Sequence, residues 1–165
     1  MAVDMFLRLD GIKGESQDSK HKDEIHIESF SWGMSQAGAF GAGGGTGRAS
    51  VHDISITKRI DKSTPLLMLS CANGKHIPTG LITVRKAGDK PVEYLKIKLE
   101  DILISSVQMA GKLNGTPSDA VALDVKKMYF SYYQQAADGT LMPPITAIIE
   151  NFEQGTLEPP PVPPA

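Results

Sequence analysis

The chain has 165 residues, 41% of them hydrophobic and 22% charged, with 17 Lys and Arg against 19 Asp and Glu for a net charge of −2. That length suits one domain able to withdraw ~70% of its unfolded surface from water, and the balanced charge supplies neither a basic stripe for nucleic acid nor a polybasic patch for an anionic membrane. Cys71 is the one cysteine, so no intrachain disulfide can form; residues 1–5 lack the basic n-region of a secretory signal peptide, and no apolar run reaches the ~18 residues of a membrane span.

In chain order, residues 3–9 alternate, with Val3, Met5, Leu7 and Leu9 on one face and Asp4 and Arg8 on the other, which predicts a strand with one buried face. A charged loop leads to a second strand over residues 24–32. Its apolar parity changes partway, from Ile25 and Ile27 to Phe30 and Trp32. The period of a strand is two, so such a change needs a bulge or a change of partner. The same change recurs between Leu95, Ile97, Leu99 and Ile102, Ile104, and between Val121, Leu123, Val125 and Met128, Phe130, Tyr132. Three strands that change face fit a small antiparallel β-barrel or orthogonal sandwich, in which strands bend at corners to serve both sheets.

Further strands are predicted over residues 51–58 and 81–86, the latter joined to residue 92 onward by a hairpin turn at residues 87–91. One short α-helix is signalled over about residues 65–73. Thr64 is its expected cap, Pro65 suits its first turn, and Gly74 is placed to end it. Leu66, Leu67, Met68, Leu69, Cys71 and Ala72 leave it almost no polar face, so heavy burial is expected, at a barrel end or between neighbouring subunits. Residues 33–50 hold seven glycines and only two large apolar residues, Met34 and Phe40, which predicts a long, flexible Gly-rich loop. One domain over residues 1–150 is therefore expected, followed by a Pro-rich solvated tail over residues 151–165.

Motifs for chemistry fail on spacing. A phosphate loop ending at Gly47 would need glycine at Ala42 and lysine at Arg48. His21, His26, His52 and His76 have no metal-ligand spacing, Cys71 lies on an apolar helix where thiols are inert, and no serine has a GxSxG setting. Asn114-Gly115-Thr116 reads as a turn. No catalytic residue, no cofactor and no metal is expected.

The stretch from Asp10-Gly11-Ile12-Lys13-Gly14-Glu15-Ser16 to Phe30-Ser31-Trp32-Gly33 is more specific. It resembles the opening signature of the haemolysin-coregulated protein family, the tube subunits of bacterial type VI secretion. The resemblance continues through Asp61-Lys62-Ser63-Thr64-Pro65, Cys71-Ala72-Asn73-Gly74, Tyr94-Leu95-Lys96-Ile97 and the strand ending near Tyr133, about residues 1–139 in all. Asp23-Glu24 stands where many members have Gly-Glu. The resemblance implies a compact β-barrel with one helix, homo-hexameric rings stacked into a hollow tube inside a contractile sheath, a spike at its tip, and export from a cytoplasmic pool without a signal peptide. It also implies effector proteins as partners, held in the ring lumen, which leaves a ring-shaped carrier as a second reading; a small ligand-binding barrel is a third. A tube of stacked rings needs contacts between rings, and residues 33–50 are the expected stacking element, with Phe40 and Arg48 as its anchors.

Overall fold

The computed structural model describes residues 2–36, 49–150 and 156–158. Among them eleven strands and one helix follow in the order β1 (Val3–Leu9), β2 (Ile25–Ile27), β3 (Ser29–Ser31), β4 (Met34–Gln36), β5 (Ala49–Val51), β6 (Ile54–Arg59), α1 (Ser63–Asn73), β7 (His76–Lys86), β8 (Val92–Ala110), β9 (Ser118–Tyr132), β10 (Ile145–Glu150) and β11 (Thr156–Glu158). The main sheet runs β11-β10-β9-β8-β7-β1-β2 with every pairing antiparallel. The span expected as one strand over residues 24–32 is two, parted at Glu28. β2 pairs with β1, β3 pairs with β6, and β6 returns to the first half of β9. That change of partner produces the observed change of parity and carries the sheet round into a nearly closed, mainly β barrel with one short helix.

The other parity changes coincide on one rung. β8 turns over at Glu100 and Asp101, where Asp101 takes a left-handed φ of 54°. Opposite it, β9 turns over at Lys126 and Lys127, so Leu99 faces Met128 on one side of the rung and Ile102 faces Val125 on the other. β7 does the same at Pro78 and Thr79, between Ile77 and Gly80. Pro78 has no N–H to donate, so an interrupted ladder is where a proline fits. Gly80 leaves the space for close packing beside this crease. A Cβ there would lie 2.9 Å from both Leu9 Cδ2 and Ile102 Cδ1, the two side chains that fill the corner. The core so enclosed includes Leu7, Ile25, Ile56, Ile82, Ile97, Leu99, Ile102, Leu123 and Met128.

α1 departs from expectation at its start and on its surface. It begins at Ser63, and Thr64 does not cap it. Asp61 does that work, its Oδ1 accepting the Ser63 N–H at 2.9 Å and its carbonyl accepting the Thr64 N–H at 3.1 Å. Gly74 ends the helix as expected, with φ 66° and its N–H bonded to the Ser70 carbonyl. Heavy burial of the apolar side chains does not occur within the chain. Leu67 is buried, but Leu66, Met68 and Leu69 are exposed.

Two spans without an expected packing pattern take part in pairing. The ends of the Gly-rich segment form a ribbon, Met34 to Gln36 against Ala49 to Val51; residues 37–48, with Phe40 and Arg48, lie outside the described residues. Within the expected tail, Thr156 to Glu158 pair with Thr146 to Ile148. These three residues keep their backbone N–H groups, whereas the prolines after them have none to give.

Candidate functional site

Two clusters of buried charge stand apart from the apolar core. The first lies under residues 15–24, a strap laid over the outer face of β1. Alternation assigns Phe6 to that outer face, yet Phe6 is only 3% exposed. The His21 ring stacks on it at 4.4 Å between centroids and 10° from parallel, the His26 ring lies at 5.3 Å, and the Arg85 guanidinium lies 4.9 Å from the ring centre. Arg85 grips Asp18 with both terminal nitrogens, Nη1 to Oδ1 at 2.9 Å and Nη2 to Oδ2, and also reaches Asp4. His21 Nδ1 meets Glu24 at 2.7 Å and Nε2 meets Glu93 at 2.6 Å. His21 thus bridges the two carboxylates through its two ring nitrogens. Backbone bonds close the strap, Gly14 N–H to the Asp23 carbonyl at 2.8 Å and Ser16 N–H to the Glu24 carbonyl at 3.0 Å. Asp23 holds a left-handed φ of 62°, a conformation that Asp tolerates better than most residues.

The strap gives the protein an acid dependence. The Arg85 hydrogen bond holds the Asp18 carboxyl well below the usual range, against a smaller opposing effect of burial. Burial pushes Glu93 up, but bonds from His21 and Lys96 together outweigh it and leave it lowered. A carboxyl lowered in the fold stabilises it fully above its unfolded value, near 4, and this contribution drains away as pH falls through the lower folded value. Stability should therefore fall between pH 5 and pH ~2, and Asp18→Asn should flatten that fall when urea midpoints are compared along the pH series. An equally steep fall in the variant would place its origin elsewhere.

The second cluster fastens α1. Lys58 occupies an inward position of β6, in step with Ile54 and Ile56, and Asp119 faces it across the ladder. Both side chains are buried, and Lys58 Nζ donates to Asp119 at 2.8 Å, to Thr64 at 2.9 Å and to Asp61 at 3.0 Å. The Thr64 hydroxyl donates to Asp119 at 2.6 Å, so the first turn of the helix is bonded to two strands.

Two open hollows flank these clusters. One, of about 620 Å³, is lined by Asp4, Phe6, Glu15, Asp18, Arg59 and Arg85, and the other, of about 800 Å³, by Leu9, Ile12, Lys13, Lys62, Pro65 and Leu66. The charged heads of both clusters face one another in pairs, an arrangement that fastens elements together. Among the described residues no group of three or more His, Cys, Asp or Glu is placed to hold a metal ion.

Nearly all of this chain is shared with proteins already known. A family profile described as "Type VI secretion system effector, Hcp" matches residues 6–134, which contain the strap, the crease, α1 and β9. The chain belongs to the Hcp family. Protein hcp1 of Pseudomonas aeruginosa is 47% identical over 143 residues, 84% of this chain and 88% of that one. Hcp1 from Salmonella typhimurium has the same fold, with a TM-score of 0.75 at 34% identity over 91% of this chain and 95% of that one. A type VI secretion system effector from Yersinia pestis gives 0.74 at 35% identity over 89% and 99%. As a member of the Hcp family this chain is a type VI secretion tube subunit, as its opening signature implied. No described helix is long and apolar enough to cross a membrane.

Proposed function

We propose that this Hcp protein works by closing into hexameric rings, which stack into a hollow inner tube and are expelled with a spike when a contractile sheath shortens. The family match over residues 6–134 carries this reading. The pairing of charges in both buried clusters supports a structural role without catalysis. The subunit is made in the cytosol and leaves through the secretion machinery itself, with effector proteins as passengers. Sedimentation of the purified chain tests the ring. A mass near six subunits is expected, and a monomer at high concentration would overturn the reading.

Contacts between rings are assigned to the Gly-rich segment that begins and ends in the β4–β5 ribbon, with Phe40 and Arg48 as anchors. Replacing both with alanine should leave ring mass unchanged and abolish tubes in negative-stain images. Tubes of ordinary length from the double variant would remove the segment from that role.

A further inference from the structure

The chain contains two Asn-Gly pairs, Asn73-Gly74 and Asn114-Gly115. Such a pair undergoes a reaction that needs no enzyme. The glycine nitrogen attacks the asparagine Cγ and gives its proton to solvent base, the bond from Cγ to Nδ2 breaks, and ammonia leaves. Water then opens the cyclic succinimide at either carbonyl, giving aspartate or isoaspartate. Glycine favours ring closure because it carries no side chain to crowd the nitrogen. Both pairs are exposed, so access to water does not tell them apart. The bonding of the reacting groups does.

Asn73 is the last residue of α1, and both reacting groups are engaged there. Its Oδ1 accepts the Lys75 N–H at 2.9 Å, and the Gly74 N–H is given to the Ser70 carbonyl. Closing the ring would break both bonds and undo the helix cap. Asn114 lies in the β8–β9 turn, residues 111–117, every one of them exposed. Leu113 beside it is 95% exposed, so no described residue packs over the tip. Asn114 holds a left-handed φ of 66°, which Asn tolerates, and its side chain has no hydrogen-bond partner among the described residues. One bond restrains the nitrogen, from the Gly115 N–H to the Lys112 carbonyl at 3.1 Å. An exposed turn bond of this kind opens locally while the sheet stays closed, and the last rung of that sheet is Ala110 with Ser118.

We propose that Asn114 is a site of spontaneous deamidation in the folded protein, converted to aspartate and isoaspartate while Asn73 is protected by its helix end. The reaction places a negative charge at the hairpin tip, beside Lys112, where the amide carried none. The aspartate product keeps the shape of the turn, since Asp tolerates the left-handed conformation as Asn does. The isoaspartate product routes the main chain through Cβ and Cγ and so lengthens it by one carbon. That added atom falls beyond the rung of Ala110 and Ser118, in a turn with no partner strand, and the register of β8 on β9 is untouched. The modification therefore accumulates with the age of the subunit and leaves the barrel folded.

The test holds the full chain folded in mildly alkaline buffer at body temperature, with samples taken over days and cut with trypsin. Fragments 63–75 and 113–126 report Asn73 and Asn114 by mass, each corrected for the starting sample. Methyl transfer from S-adenosylmethionine by an isoaspartate methyltransferase detects the isoaspartate. Fragment 113–126 should convert at least ~5-fold faster than fragment 63–75, the factor that one net hydrogen bond supplies. In guanidinium chloride the gap should close, because neither pair then keeps its bonds. Asn114→Gln retains an amide in the exposed turn, but its longer side chain cannot close the succinimide, so its fragment should stay unconverted. Converted chain should keep the urea midpoint of fresh chain. The proposal is overturned if fragment 113–126 keeps its amide, if the two fragments convert equally in the folded chain, or if their gap persists undiminished in guanidinium chloride. Conversion of the Asn114→Gln variant would overturn the succinimide route, and a midpoint that falls as Asn114 converts would overturn the claim that the barrel is spared.

Discussion

Replacing Lys58 with alanine should cost about 3–5 kcal/mol, the usual loss when one member of a buried ion pair is removed. Asp119 would be left inside the barrel, its side chain 0% exposed, with the Thr64 hydroxyl as its remaining donor among the contacts described above. α1 would also lose the bonds from Nζ to Thr64 and Asp61. A domain of this size has ~5–15 kcal/mol in hand, so the variant should unfold at a much lower urea concentration. Pairing it with Asp119→Leu, alongside methionine at position 58, should recover most of the loss, because two well-packed apolar residues replace a buried pair at little penalty. A double variant as unstable as Lys58→Ala would show that the apolar side chains fail to fill the corner, and that the charge itself was not what the single change exposed.

Gly14→Ala should be the most damaging change in the strap. A Cβ at Gly14 would sit 2.5 Å from the Glu24 carbonyl oxygen and 2.6 Å from the Ile25 Cα. Both are backbone atoms beside β2, and neither can swing aside as the end of a side chain could. Either the strap lifts or β2 moves, and the bond from Gly14 N–H to the Asp23 carbonyl is lost in both cases. A loss of about 2 kcal/mol or more is expected, in the upper range for single substitutions. Hydrogen exchange locates it: amides of residues 15–24 should exchange faster while those of β8 and β9 stay protected. Uniform acceleration across the barrel would mean that the strap and sheet open as one unit.

The parity changes were legible because a strand has a period of two, and each stands in the sequence as a visible step. That those in β8 and β9 share a rung with a third in β7 was not legible, because register between strands is a tertiary property. The step between Ile27 and Phe30 was readable as a bulge or a change of partner, but neither which of the two nor the partners themselves were. Phe6 stood at an outward position among Asp4 and Arg8, and an aromatic ring breaking a polar face was the available signal for a covered outer surface. Lys58 carried a similar sign, lying in step with Ile54 and Ile56. Nothing local marks its partner, Asp119, sixty-one positions away. The apolar side chains of α1 were plain in the sequence, but which way they point depends on the bonds from Ser63 and Thr64 to groups distant along the chain. The short strand β10, behind Pro143 and Pro144, gave too few residues to show an alternation.

The crease bears on where this chain can change length. On the Leu95 side of the rung odd positions of β8 face the core, and on the Ile104 side even positions do. Losing one residue between Leu99 and the rung would turn Lys96 and Lys98 inward in place of Ile97 and Leu99, while the other half of the strand kept its register. Away from the rung the ladder already takes up single extra residues of β8, Tyr94 opposite Val84 and Arg85 and Ser105 opposite Leu123 and Ala122. Insertions and deletions are least disruptive in the turns beyond the paired residues, at residues 87–91 and 111–117, and variants lengthened there should keep the barrel intact.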